Sequence, residues 1–340
     1  MTTTNDTKAT RAPARALGGT EPRARFRDLV TAEWIKLRSL RSTWIAYAAT
    51  ALAVIALNVG TAYDTSSHWA EQNQEEADFI RNGIPLQDAF TVNASMIMML
   101  ALGALGAVMI LVEYGTGMIR TTFAAVPARR SVLAAKAVVL TMTATAFGAF
   151  VASTSFVLTQ AVLNGKGVGV PISHPGALRL VLASALLAPV SALVGLALGT
   201  VLRHTAATMT ASVLLLFMLP IALSDDRHWQ ATLGHATPYR AWLKLAETGH
   251  TPSPFPWTTT GAWTVYALWA IAAAALAITS VHRRDQLSRR HHPQSPRQLP
   301  GPRIPGRPDS RSTRRTDRLA SSERPRVASR AGTVAAASRS

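Results

Sequence analysis

Between Glu113 and Lys136 the chain reads EYGTGMIRTTFAAVPARRSVLAAK, a short basic stretch rich in Gly and Thr between two long apolar segments. Glu113 closes the apolar segment before it, where a carboxylate is expensive unless it is paired or functional. Thr116 and Gly117 permit a sharp turn, and Met118 to Ala125 can form about two helical turns before Pro127 stops them. Arg120, Arg129, Arg130 and Lys136 then supply positive charge for lipid headgroups or a protein partner. The chemistry available here is electrostatic docking rather than bond-making.

Other residues capable of chemistry are scattered. Asn164-Gly165-Lys166-Gly167 lacks the upstream glycine and the hydroxyl of a phosphate-cradling loop. His228, His235 and His250, with Asp225 and Asp226, match no metal-ligand spacing. No Ser-His-Asp set or carboxylate pair falls at a coherent position along the chain, so no catalytic residue, cofactor site or metal site is expected. Cysteine is absent, which excludes disulfides and thiolate metal sites.

The elements that must position the Glu113–Lys136 loop are apolar. Of 340 residues 48% are hydrophobic and 16% charged, with a mean hydropathy of +0.17. Uncharged runs occupy residues 44–63, 94–112, 137–163, 180–202, 206–224 and 262–281. About 20 residues at 1.5 Å rise cross a hydrocarbon core of roughly 30 Å, so each run can span a bilayer. In lipid the backbone must satisfy its own hydrogen bonds, so the runs are predicted helices. The expected fold class is therefore an all-α membrane protein with six transmembrane helices in a domain over residues 44–281. The third run is long enough to tilt or project beyond the bilayer. Pro189 and Pro220 are expected to kink the fourth and fifth spans. Gly195 and Gly199 in the fourth let another helix approach closely, either within one chain or between two. Trp44, Trp257, Trp263 and Trp269 lie near span ends, as interfacial aromatics do.

With the N-terminus inside, the inner segments hold 18 Arg and Lys and the outer segments 6. This bias predicts both termini in the cytoplasm. No cleavable signal peptide is visible, so the first span is expected to act as its own signal. Residues 23–43 precede that span; Phe26, Leu29, Val30, Trp34, Leu37 and Leu40 recur at helical spacing with Arg27, Glu33, Lys36, Arg38 and Arg41 among them. This pattern predicts an N-terminal interfacial amphipathic helix. Residues 1–22 and 285–340 are expected to be disordered; the latter carry 13 Arg against 4 acids, with many Pro and Ser. The net charge of +17 sits in these tails and in one loop beside apolar spans, which argues for lipid and against nucleic acid as partner. The segment holding Trp229, Tyr239, Trp242 and Leu245 is a candidate to dip back into the outer leaflet.

The order E-x-x-x-G, an Arg, a Thr-rich turn, P-x-R-R and a Lys opening the next span resembles the permeases of type-2 ATP-binding-cassette exporters. EWIKLRSLRSTW, the six spans, and HRRD after the last span extend the likeness over roughly residues 26–285. The basic C-terminal tail departs from the family. The resemblance implies that Glu113, Gly117, Met118, Arg120, Thr121, Pro127, Arg129 and Arg130 form or brace a coupling helix that sits on an ATP-binding subunit. It implies two permease chains, alike or different, with two ATP-binding subunits that hold the ATP and Mg. It also places a cargo path between facing second and fifth spans, with Met96, Met99, Thr208, Ser212 and Phe217 as candidate lining for a hydrophobic or amphiphilic substrate. Helices between the fifth and sixth spans are re-entrant in many such permeases. Thirty Arg against five Lys, with heavy Ala usage, suggest a GC-rich bacterial genome and hence a bacterial plasma membrane. A non-transporting anchor or sensor partner is the rival reading. An ion-coupled carrier is disfavoured because the spans lack charged residues away from their ends.

Overall fold

The computed structural model describes residues 25–68, 76–126, 128–223, 227–248 and 255–291, the side chains of 76–77 and 281–291 aside. Pro127, Asp225, Asp226 and His250, the tail over residues 1–22, and the tail beyond His291 lie outside the described residues. Among the described residues there is no strand.

The chain opens with α1 (Phe26–Ser39), separated from α2 (Arg41–Ser67) by the single extended residue Leu40. Two short helices, α3 (Glu76–Arg81) and α4 (Ile84–Ala89), lead into α5 (Val92–Gly115). Next come α6 (Met118–Ala125), α7 (Arg129–Asn164) and α8 (Ala177–Leu202). The fifth span is composite: α9 (Thr205–Val213), a π-helical turn over Leu214–Met218, then α10 (Leu219–Ala222). The short α11 (His228–His235) and α12 (Pro238–Ala246) precede α13 (Thr259–His291). Among the described residues six helical segments are long and apolar enough to cross a membrane: 41–67, 84–115, 129–164, 177–202, 205–222 and 259–280. Large apolar side chains such as Leu52, Met142, Phe150, Leu268 and Ile271 point outward from them.

The bundle is organised around α8. Its most apolar stretch is 83% buried, against 22–28% for the first, fifth and sixth spans, so α8 is the core and those three the rim. Small residues make this possible. A Cβ on Gly195 of α8 would lie 1.8 Å from the carbonyl oxygen of Gly103 on α5, and one on Gly106 would lie 1.9 Å from that of Ala192. The Gly195/Gly199 pair is therefore occupied within the chain, because Gly199 meets Ile110 and Ala107 of the same α5. Gly148 of α7 closes on the other side of α8 against the Ala185 carbonyl.

Pro189 is carried inside a continuous α8. At Pro220 the chain instead inserts the preceding π turn, a usual accommodation where a residue cannot donate its N–H. Arg240 of α12 donates from its side chain to the Pro220 and Leu223 carbonyls, meeting acceptors left open at the end of α10.

Polar side chains fix the far end of the bundle. Asn58 of α2 donates to Ser155 Oγ of α7 at 3.1 Å, and its Oδ1 accepts from the Thr91 N–H at 2.9 Å and the Thr91 hydroxyl at 3.0 Å. Thr91 is also the N-cap of α5, accepting from the Ala94 N–H. One buried amide thus aligns the starts and ends of three spans.

Candidate functional site

The site is built from the break at Leu40, the end of α5 and the start of α7. Because Leu40 is extended, α1 leaves the axis of α2 and lies along α7. This turns Glu33 and Leu37 inward and leaves Phe26, Trp34, Ile35 and Leu40 exposed. Glu113 is buried two residues before the end of α5, and Lys136 is buried in the second turn of α7. Lys136 Nζ donates to Glu33 Oε2 at 2.5 Å and to Glu113 Oε1 at 2.9 Å. Lys36 Nζ donates to Glu33 Oε1 at 2.7 Å and to Glu113 Oε1 at 3.2 Å. Two carboxylates and two ammoniums, from three helices, form a closed and neutral cluster.

Burial pushes the Glu33 carboxyl up, but the Lys136 ammonium and the hydrogen bonds from Lys136 and Lys36 outweigh it and hold the group below its ordinary value. Burial likewise pulls Lys36 down, while the bonds and charges of Glu33 and Glu113 more than reverse this. A single acid here would neutralise; its basic partners instead hold Glu33 in its charged form, as its acidic partners hold Lys36. Beside it lies a small cavity of about 70 Å³, lined by Leu105, Met109, Met118 and Leu140 among others.

Glu113 and Lys136 are the two ends of the loop that carries α6. At its entry Thr116 donates to the Val112 carbonyl, and Gly117 adopts φ +72°, a left-handed conformation that an L side chain resists. From there α6 sends Ile119 into the core and half-buries Phe123, one turn on along the same face. Arg120, Thr121, Ala124 and Ala125 are exposed, and Met118 is 39% exposed. The Arg129 guanidinium lies over the Phe123 ring at 5.1 Å, fastening the start of α7 to α6. Arg203, left-handed at the end of α8 with φ 54°, lies over the Tyr114 ring at 4.9 Å and ties the core helix to the same corner. Arg130 is exposed.

The structure therefore brings Glu113, Gly117, Met118, Arg120, Thr121, Arg129 and Arg130 to one end of the bundle, on and around α6. It does not gather the candidate cargo lining on a surface. Met99, Thr208 and Ser212 are buried inside the chain, Ser212 donating to the Thr208 carbonyl, while Met96 and Phe217 are half-buried. The outward residues of the fifth span are Val213, Leu214, Met218, Leu219 and Ile221.

Sequence reasoning missed the pairing of Glu33 and Lys36 with the loop, 103 residues from Glu33 to Lys136. One signal was present. Glu33 stands on the Leu29–Leu37 row of α1, and a carboxylate in an apolar row requires a partner. Of the histidines, His228 packs edge-on against Phe255 and His235 stacks on Trp257. In the segment after the fifth span, Trp242 is fully buried and donates to Ser184 Oγ of α8 at 3.0 Å, so α12 packs into the bundle.

Six membrane-length helices around one small-residue core helix, with a short helix braced by buried charge between the second and third, define a multi-pass membrane permease. The chain belongs to the ABC-2 family of transporter proteins, whose family model matches residues 29–222, from α1 to the end of α10. No curated protein matches the chain. Permeases of this family are membrane components that generally work with an ATP-binding subunit.

Proposed function

We propose that this chain is the membrane-spanning subunit of an ATP-driven exporter, with α6 as the element on which a separate ATP-binding subunit pushes. The observation that carries this reading is the bracing of α6. Its outer face offers Arg120 and Thr121, while both helices from which it hangs are locked to α1 through Glu33, Lys36, Glu113 and Lys136. A push on α6 then moves α1, α5 and α7 together, a rigid-body switch rather than a local loop deformation.

Two such chains would face each other across the outward residues of the second and fifth spans. The apolar side chains there, with Met96 and Phe217 at the margin and Met99, Thr208 and Ser212 behind them, suit a hydrophobic or amphiphilic substrate. The Arg and Lys bias supports α6 and both termini on the cytoplasmic side of a bacterial plasma membrane, and the exposed Phe26, Trp34 and Ile35 of α1 suit the lipid interface.

The test is whether a neighbouring reading frame encodes a P-loop ATPase and whether that ATPase co-purifies with this chain. Arg120→Glu and Gly117→Val should each abolish or strongly weaken ATPase recovery and uncouple hydrolysis from transport, while the permease still inserts. Wild-type recovery and transport in both variants would sink the assignment and favour a non-transporting anchor.

A further inference from the structure

At the end of the bundle opposite α6, a cavity of about 840 Å³ opens between α4, the starts of α5 and α8, and α12. Ligand pockets have volumes of roughly 300–1,000 Å³, so this one admits an organic molecule and is far too large for a bare ion. One wall is apolar: Leu86, Phe90, Leu180, Trp242 and Leu243. The Phe90 and Trp242 rings, 6.0 Å apart between centroids, both border the cavity.

The other wall is polar, with Arg81, Asp88 and Glu247 as its charged residues. Arg81 is paired with Asp78 at 2.5 Å, and Glu247 with Lys244 at 2.5 Å. Arg179, outside the lining, donates to the Glu247 carbonyl and keeps its positive charge. Asp88 remains. It lines the cavity and is 6% exposed; the Thr65 hydroxyl bonds its carboxylate, but its Oδ2 has no hydrogen-bond partner and no ion pair reaches it among the described residues. A buried carboxylate oxygen without a partner is unfavourable unless a proton or a cation meets it. The Asp64 carboxylate adds a like charge beside Asp88.

We infer that this cavity is a binding site for a lipophilic organic cation, its charge on Asp88 and its apolar body against Phe90, Leu180 and Trp242. The inference rests on this geometry alone and does not require the exporter reading.

It is tested on the full chain in lipid nanodiscs, without ATPase, by equilibrium binding of radiolabelled tetraphenylphosphonium. Asp88→Asn should weaken binding about tenfold or more, the loss expected of one charge contact. The neutral triphenylphosphine oxide should not compete. Because Asp88→Asn risks misfolding, a second measurement uses the absence of native cysteine. Asn93 is exposed and lines the cavity, so Asn93→Cys is accessible to thiol reagents. A cationic methanethiosulfonate should react with it several-fold faster than an anionic one, and tetraphenylphosphonium should protect it. Wild-type affinity in Asp88→Asn, or labelling of Asn93→Cys indifferent to reagent charge and to tetraphenylphosphonium, would overturn the inference. The first result would mean that a proton already satisfies the carboxylate.

Discussion

Lys136 is 1% exposed and bonded to two carboxylates that are themselves buried, so its removal would leave Glu33 and Glu113 with only the half-exposed Lys36. Breaking a buried pair from one side costs about 3–5 kcal/mol, whereas replacing the whole set by apolar residues is often neutral. Lys136→Met should therefore lower the melting temperature of the purified permease sharply, and Lys136→Met with Glu113→Leu should recover part of the loss. An unchanged melting temperature in the single variant would show that the cluster contributes little. The pH response has a definite sign. Glu33 is held below its ordinary value of 4.5, so its contribution is fully present above that value and declines as pH falls through its lower folded value. Lys36 is raised, so its share persists until well into alkali. Hydrogen exchange should show α1 loosening from α7 only on the acid side, below about pH 4.5. Loosening near neutrality would contradict the pairing.

Helices α5 and α8 touch backbone to backbone, and glycine decides where. At Gly106 an added Cβ would overlap the Ala192 carbonyl, whereas at Gly60 of α2 nothing lies within 4 Å. Gly106→Ala should force the two helices apart at a cost of roughly 1–3 kcal/mol, read as lower thermal stability. Gly60→Ala should cause no loss and can gain some tenths of a kcal/mol from reduced chain entropy. Equal behaviour of the two variants would show that the crossing is looser than described. The same reasoning separates α6 from an ordinary loop. Its Gly117 has open space around it, so a substitution there acts through the positive φ and the direction of α6 rather than through a clash.

Across the whole molecule, charge and shape divide the bundle into two unlike ends. One carries the four-charge cluster, α6, Arg129, Arg130 and Arg203; the other carries α4, α12, Asp88 and the large cavity. Because α5 runs from Val92 to Gly115, about 35 Å at 1.5 Å per residue, Asn93 and Arg130 must lie on opposite sides of a membrane. In intact cells an impermeant maleimide should label Asn93→Cys and spare Arg130→Cys. The reverse pattern would invert the orientation and overturn the proposed docking of an ATP-binding subunit on α6.

The six helices were legible from residues alone, because an uncharged run in lipid has no partner for its backbone except itself, and that is a local requirement. Gly117 and Pro127 likewise marked the turn and stop around Met118–Ala125 by their own backbone preferences. The partners of side chains were not legible. Nothing near Glu33 in sequence indicates Lys136, nothing near Gly195 indicates Gly103, and Asp88 reads as one acid in an acidic loop until α4 packs against α2. Those choices depend on which helix faces reach each other, and only the packed bundle decides that.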